Sequence, residues 1–177
     1  MKKLLVITAL VISAAGLRAE DSHFFQASMT PDVAIYPKTT EIRGIALDIW
    51  GENPQHGFNL GFINGSTGDS SGFTVGLANY ADSYTGVQWA IVNLSQKSFI
   101  GWQAAMINVS QGEFKGFQSG WVNVGDEVHG FQLGLVNCAK NLHGLQIGLA
   151  NIANNNPWFK EFPDKLATGF PIANWSF

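Results

Sequence analysis

The residues of this 177-residue sequence that could do chemistry are four histidines, one cysteine and scattered carboxylates. His129 and His143 occupy one slot of a repeat, each directly before a glycine, Gly130 and Gly144. If successive repeats run parallel, the two imidazoles lie about 4.8 Å apart, one strand spacing, and could share a metal. If successive strands alternate in direction, they sit at opposite ends of neighbouring strands. A zinc-like centre needs a third ligand of Cys or carboxylate type at a matching spacing, and none is legible. His23 and His56 read as solvated residues beside turns. Cys138 is alone, so no intramolecular disulfide framework forms, and it takes a slot filled elsewhere by Val, Leu, Tyr or Ile. It reads as a small apolar filler rather than a nucleophile. Glu113, Asp126, Glu127, Glu161 and Asp164 fall in turns or a long loop, where carboxylates are ordinarily solvated. No GxxxxGK[ST] loop occurs, and Asn93-Leu-Ser and Asn108-Val-Ser match a glycosylation pattern only through the repeat. A net charge of −3 without a basic cluster argues against nucleic acid. No catalytic, cofactor-binding or metal residue is assigned, and the chain is read as non-enzymatic.

The elements that carry these residues are written seven times between Gly57 and about Ala153: GFNLGFINGS, GFTVGLANYA, GVQWAIVNLS, GWQAAMINVS, GFQSGWVNVG, GFQLGLVNCA and GLQIGLANIA. The period is 14 or 15 residues. Each unit reads Gly, apolar, usually Gln, variable, Gly or Ala, apolar, apolar, Asn. Side chains sort with a period of two, the strand signature. One face carries residues such as Phe131, Leu133 and Leu135; the other carries Gly130, Gln132, Gly134 and Val136. None of the seven units contains Asp, Glu, Lys, Arg or His; the charges Asp82, Lys97, Glu113, Lys115, Asp126, Glu127 and Lys140 stand between them. Neither face therefore reads as ordinary wet protein surface.

Two all-β architectures use such units. The leading expectation is an antiparallel, up-and-down membrane β-barrel of about ten strands. Its greasy face would meet outer-membrane lipid, and its Gly/Gln face would line a narrow lumen. Strands of about 11 residues and aromatic second positions (Phe58, Phe73, Trp102, Phe117, Phe131) fit that reading. The alternative is a parallel β-solenoid with 14–15 residues per coil. There, Asn64, Asn79, Asn93, Asn108, Asn123, Asn137 and Asn151 would stack as a hydrogen-bonded ladder, and Val92, Ile107, Val122 and Val136 would lie exposed.

Around this core, residues 1–19 read as an export signal peptide: Lys2 and Lys3, an apolar run from Leu4 to Leu17, and Ala19 before cleavage. Residues 20–177 form a single all-β domain. Its polar lead-in runs from Glu20 to Thr30, with first strands at Asp32–Tyr36 and Ile42–Trp50. The repeat core spans 57–153, an irregular loop 154–168 and a closing strand 169–177. Asp48 falls on the Gly/Gln face, where water would have to reach it.

The repeated unit, as in GFQLGLVN (130–137) and GLQIGLAN (144–151), and the closing PIANWSF (171–177) resemble a family of exported bacterial surface-repeat proteins. Units 86–108 depart from the pattern, with Ala90 and Ala105 in place of the second glycine. The resemblance implies the outer membrane or cell surface of a Gram-negative bacterium and implies no reaction. The expected role is structural or surface-interacting. A secreted or surface-tethered solenoid, acting as an adhesin or binding scaffold through a flat Gln-bearing face, is the alternative, and a narrow channel a more distant one.

Overall fold

The computed structural model describes residues 22–177; the signal peptide expected at 1–19 lies outside them. Seven strands pair in chain order, each parallel to the next: β3 (Ile42–Asn53), β4 (Gln55–Val75), β5 (Ala78–Trp89), β6 (Val92–Ala104), β7 (Ile107–Ser119), β8 (Val122–Leu133) and β9 (Val136–Ala153). Repeat pairs with repeat in fixed register: Gly101 with Gly116, Gln103 with Gln118, Asn108 with Asn123. The result is a stacked column of eight turns, a β-solenoid. At its start, β1 (His23–Thr30) joins β3 in parallel and turns back into the two-residue β2 (Val33–Ala34). At its end, β10 (Gly169–Ser176) runs antiparallel along β9.

This overturns the antiparallel barrel. In a barrel each unit would reverse direction. Here each unit makes one full circuit and re-enters in the same direction. Coil Val92–Met106 illustrates the path. A first arm, Val92–Ser95, turns near Lys97 into a second arm, Ser98–Ala104, and a corner at Ala105–Met106 delivers the next coil. The sheet order runs openly from β10 to β2 and does not close on itself. The reasoning toward a barrel gave the Gly/Gln face to a wet lumen. In the structure the Gln positions of that face are the dry inside of the coil, while Val136, past the corner, faces out. The lead-in expected to be irregular forms β1 from His23, and the strand expected over Asp32–Tyr36 shrinks to Val33–Ala34.

The interior is built from stacked columns, and two of them are amides. Asn64 Nδ2 donates to Asn79 Oδ1, and the same bond repeats through Asn93, Asn108, Asn123 and Asn137 to Asn151 at 2.8–3.0 Å. The second Nδ2 hydrogen closes the adjacent corner: Asn108 reaches Ser119 O at 3.0 Å and Asn123 reaches Leu133 O at 3.0 Å. Asparagine fits because one short amide satisfies both the ladder and the turn. On the opposite wall, Gln103 Nε2 donates back to Gln88 Oε1, and Gln118, Gln132 and Gln146 continue the series at 2.7–3.3 Å. Buried polar groups paired this way do not incur the cost of lone desolvated amides. Between the amide columns runs an apolar one, with Tyr84, Phe99 and Phe114 stacked 5.6–5.8 Å apart, followed by Val128 and Leu142. Small residues, Ala81, Ser95, Ser110 and Ala139 among them, fill the remaining width.

The first residue of each unit is glycine because nothing else fits. At Gly116 the backbone takes φ +136°, and an added Cβ would stand 2.0 Å from the carbonyl oxygen of Gly101. The same approach recurs at Gly101, Gly130 and Gly144.

Candidate functional site

With the amides turned inward, the aliphatic and aromatic positions of every unit face outward. One column on the second arm holds Ile45, Phe58, Phe73, Val87, Trp102, Phe117, Phe131 and Leu145. Two residues on stand Leu47, Leu60, Val75, Trp89, Ala104, Ser119, Leu133 and Ile147. The corner that follows is capped by Ile49, Phe62, Leu77, Ile91, Met106, Trp121, Leu135 and Leu149. Past the corner, the first arm exposes Trp50, Ile63, Ala78, Val92, Ile107, Val122 and Val136, and next to them Leu94, Val109, Val124 and Cys138. The apolar surface is therefore a wedge: two flanks meeting at a greasy edge. Trp89 is 61% exposed, Trp121 59% and Leu149 73%, far from the burial such side chains ordinarily reach. Contiguous apolar patches of this size mark binding sites. Polar groups interrupt the wedge at its N-terminal end, where Tyr80 donates to Glu52 and accepts from the Trp50 indole, and midway, where Trp102 Nε1 donates to Ser119 Oγ at 2.9 Å.

Amide groups at the corners bond to the neighbouring coils. Leu77 N donates to Phe62 O, Ile107 N to Ile91 O, Trp121 N to Met106 O, and Leu135 N to Trp121 O, all at 2.9–3.0 Å. Turns ordinarily hand such groups to water; these hand them to the neighbouring coil.

The opposite edge of the solenoid carries the charge. Lys97 meets Asp82 at 3.6 Å, Lys115 meets Glu113 at 2.7 Å, and Lys140 meets Asp126 at 2.8 Å. These are exposed pairs of mixed sign and contribute little to stability. Lys115 holds the fully exposed Glu113 carboxyl below its usual range. His129 and His143 fall in register and stack with ring centroids 4.8 Å apart. The parallel arrangement supplies the carboxylate that the spacing did not announce: Glu127, whose ligand atom lies within 4.8 Å of both imidazoles. Glu127 also accepts from Asn141. Face-to-face rings place their nitrogens side by side, whereas a tetrahedral zinc draws its donors to about 3.3 Å of one another. Lys115 stands in the same column beside His129. The group forms a polar ladder along the stack. His56 lies in that column's N-terminal continuation, 3.1 Å from Glu41, and His23 stacks on Tyr36.

The other chemistry-bearing residues are dispersed. Cys138 faces outward beside Val124, and partial burial raises its thiol, which disfavours the thiolate. Glu161 pairs with Lys165 in the C-terminal loop, while the backbone carbonyl of Asp164 accepts from Phe177 N. The Gln-bearing outer face expected of a solenoid adhesin is absent, because Gln88, Gln103, Gln118 and Gln146 are 0% exposed. Asp48 lies under the β1–β2 hairpin, where Ser28 donates to it and desolvation raises its carboxyl above the usual range. Together with Met29, Val33, Ile35, Leu60 and Phe62 it lines a cleft of about 720 Å³ continuous with the wedge. The wedge was recognisable in sequence only as an absence of charge through seven units.

No protein-family model, curated protein or solved structure matches this chain.

Proposed function

We propose that the protein is a non-catalytic binding scaffold, exported to the bacterial surface, whose rigid solenoid presents an apolar wedge to a partner. The observation that carries this reading is the outward column of Leu77, Ile91, Met106, Trp121, Leu135 and Leu149, which runs unbroken along the corner. A fold that spends its polar side chains inside and its apolar ones outside gains nothing in stability from that outer surface. Its apolar residues are explained by what they contact. The repeat also supports a surface role, since stacked coils extend a binding face without altering its chemistry.

The test is dye binding by the purified, folded chain. An environment-sensitive naphthalene sulfonate dye should fluoresce strongly with the native protein while near-ultraviolet dichroism reports fixed Tyr and Trp packing. A folded monomer that leaves the dye dark would remove the scaffold reading.

A further inference from the structure

Away from the wedge, we infer that Glu127, His129 and His143 are a binding site for one divalent transition-metal ion of the zinc or copper class, bridging β8 and β9.

The backbone sets out the triangle. Glu127 and His129 are alternate residues of β8, so their side chains leave the same face about 6.6 Å apart. His143 stands opposite His129 in register on β9, one strand spacing across. Side chains of this length, rising from such a triangle, can meet above it. Their ligand atoms already lie within 4.8 Å of one another. A zinc centre needs donors about 3.3 Å apart, so closure takes at most about 1.5 Å. That movement is shared between side chains that solvent borders and leaves room to tilt. The strands beneath stay fixed, because Val128 and Leu142, the inward residues beside the two histidines, are 0% exposed.

The surroundings supply orientation and charge. Asn141, in register with Glu127, donates to its carboxylate and steadies it, as outer-shell partners do for metal ligands. Lys115, next to His129 in the column, is drawn aside by Glu113 at 2.7 Å, and those two charges offset each other. Glu127 itself makes no ion pair among the described residues, so its charge is left to face the imidazoles.

The donor set selects the ion. Two imidazoles and a carboxylate suit zinc, copper and nickel, whereas calcium and magnesium take oxygen donors. Three protein ligands leave a fourth position to water. His56 gives the contrast within the same column. It too has a carboxylate, Glu41, at 3.1 Å, but Arg43 shares that carboxylate at 2.9 Å. Its neighbours are Arg43 across the ladder and Ser71, hydrogen-bonded at 2.9 Å, rather than a second imidazole.

The experiment is calorimetric titration of the full chain with Zn²⁺ alone, followed by proton NMR of the imidazoles. Wild type should take up one Zn²⁺ per chain. The ring protons of His129 and His143 should shift together while those of His23 and His56 stay in place. Zn²⁺ at about a hundredfold over Kd should raise the melting temperature by about 5 °C, because the ion ties β8 to β9. His129→Gln, His143→Gln and Glu127→Gln should each weaken binding at least tenfold, since outer-shell partners alone are worth about ten- to a hundredfold. Circular dichroism should be unchanged, and His56→Gln should bind as wild type does. Should a ligand substitution misfold, the wild-type ring shifts still decide. A titration without heat or ring shifts would overturn the site. So would binding that survives loss of both imidazoles, or shifts spread equally onto His56. Full affinity in Glu127→Gln would overturn the three-ligand centre.

Discussion

At the scale of single residues, the fold depends on positions where one side chain has no substitute. Gly116 illustrates this. Alanine there must accept a left-handed backbone and place Cβ 2.0 Å from the Gly101 carbonyl, which is backbone and cannot swing away. Strain of this kind costs about 1–3 kcal/mol, and forced overpacking adds a similar amount. Gly116→Ala should therefore lower the unfolding free energy by about 3 kcal/mol in urea titration. Gly169→Ala, with ordinary backbone and nothing nearer than 4.0 Å, should change it by less than about 0.5 kcal/mol. Equal effects at the two sites would refute the account. The buried Tyr84 is held in place similarly: its hydroxyl meets Thr74 Oγ1 at 2.8 Å, and burial pushes its pKa up to about 12.

At the scale of the element, the unit is a full circuit, and its independence is measurable. Lys115 and His129 are in register, as are Gly116 and Gly130, so removing residues 116–129 joins Lys115 to Gly130 without shifting any column. The shortened chain should stay folded, with the same strand signature per residue and a modestly lower melting temperature, because one nearest-neighbour interface is lost. Collapse to an unfolded chain by circular dichroism would contradict it. The strands themselves were legible: Gly130–Asn137 alternates cleanly, and Gly125, Asp126 and Glu127 punctuate. The direction in which successive strands run was not. Alternation fixes which residues share a face, but it is equally satisfied by a reversing strand and by a circling one. The Asn of each unit held the deciding information, since a corner amide has bonding partners above and below only when coils stack in parallel. The usual assignment of polar faces to water worked against reading it. The pairing of Glu127 with His129 and His143 was hidden for the same reason, because it exists only between parallel coils.

At the scale of the whole molecule, a solenoid exposes two ladder ends that invite another chain. Here both are covered. β10 runs antiparallel along β9, and Asn174 Nδ2 bonds Ala167 O at 2.8 Å, tying the 154–168 loop over that end. The β1–β2 hairpin closes the other, with Gln26 bonded to the Tyr36 backbone and to Asn53. Deleting residues 154–177 should bare the amide and backbone groups of β9 and drive concentration-dependent end-to-end association. Light scattering should see it at micromolar protein, while the intact chain shows no such growth along its axis. A truncated chain that remains monomeric at all concentrations would deny the capping role.

The two amide ladders also differ in sense. Asn side chains donate toward the C-terminal end of the stack, from Asn64 onward, while Gln side chains donate toward the N-terminal end, from Gln146 back to Gln88. The open termini match: Asn64 Oδ1 is left as a bare acceptor where Gln88 Nε2 is left as a bare donor. Each file of aligned amides is a chain of dipoles that polarise one another and would, alone, set up partial charges at its ends as a helix does. Because the two files oppose, those axial moments cancel over the coils that carry both. Coils can therefore be added or removed without building a field along the stack, so electrostatics sets no limit on the number of repeats.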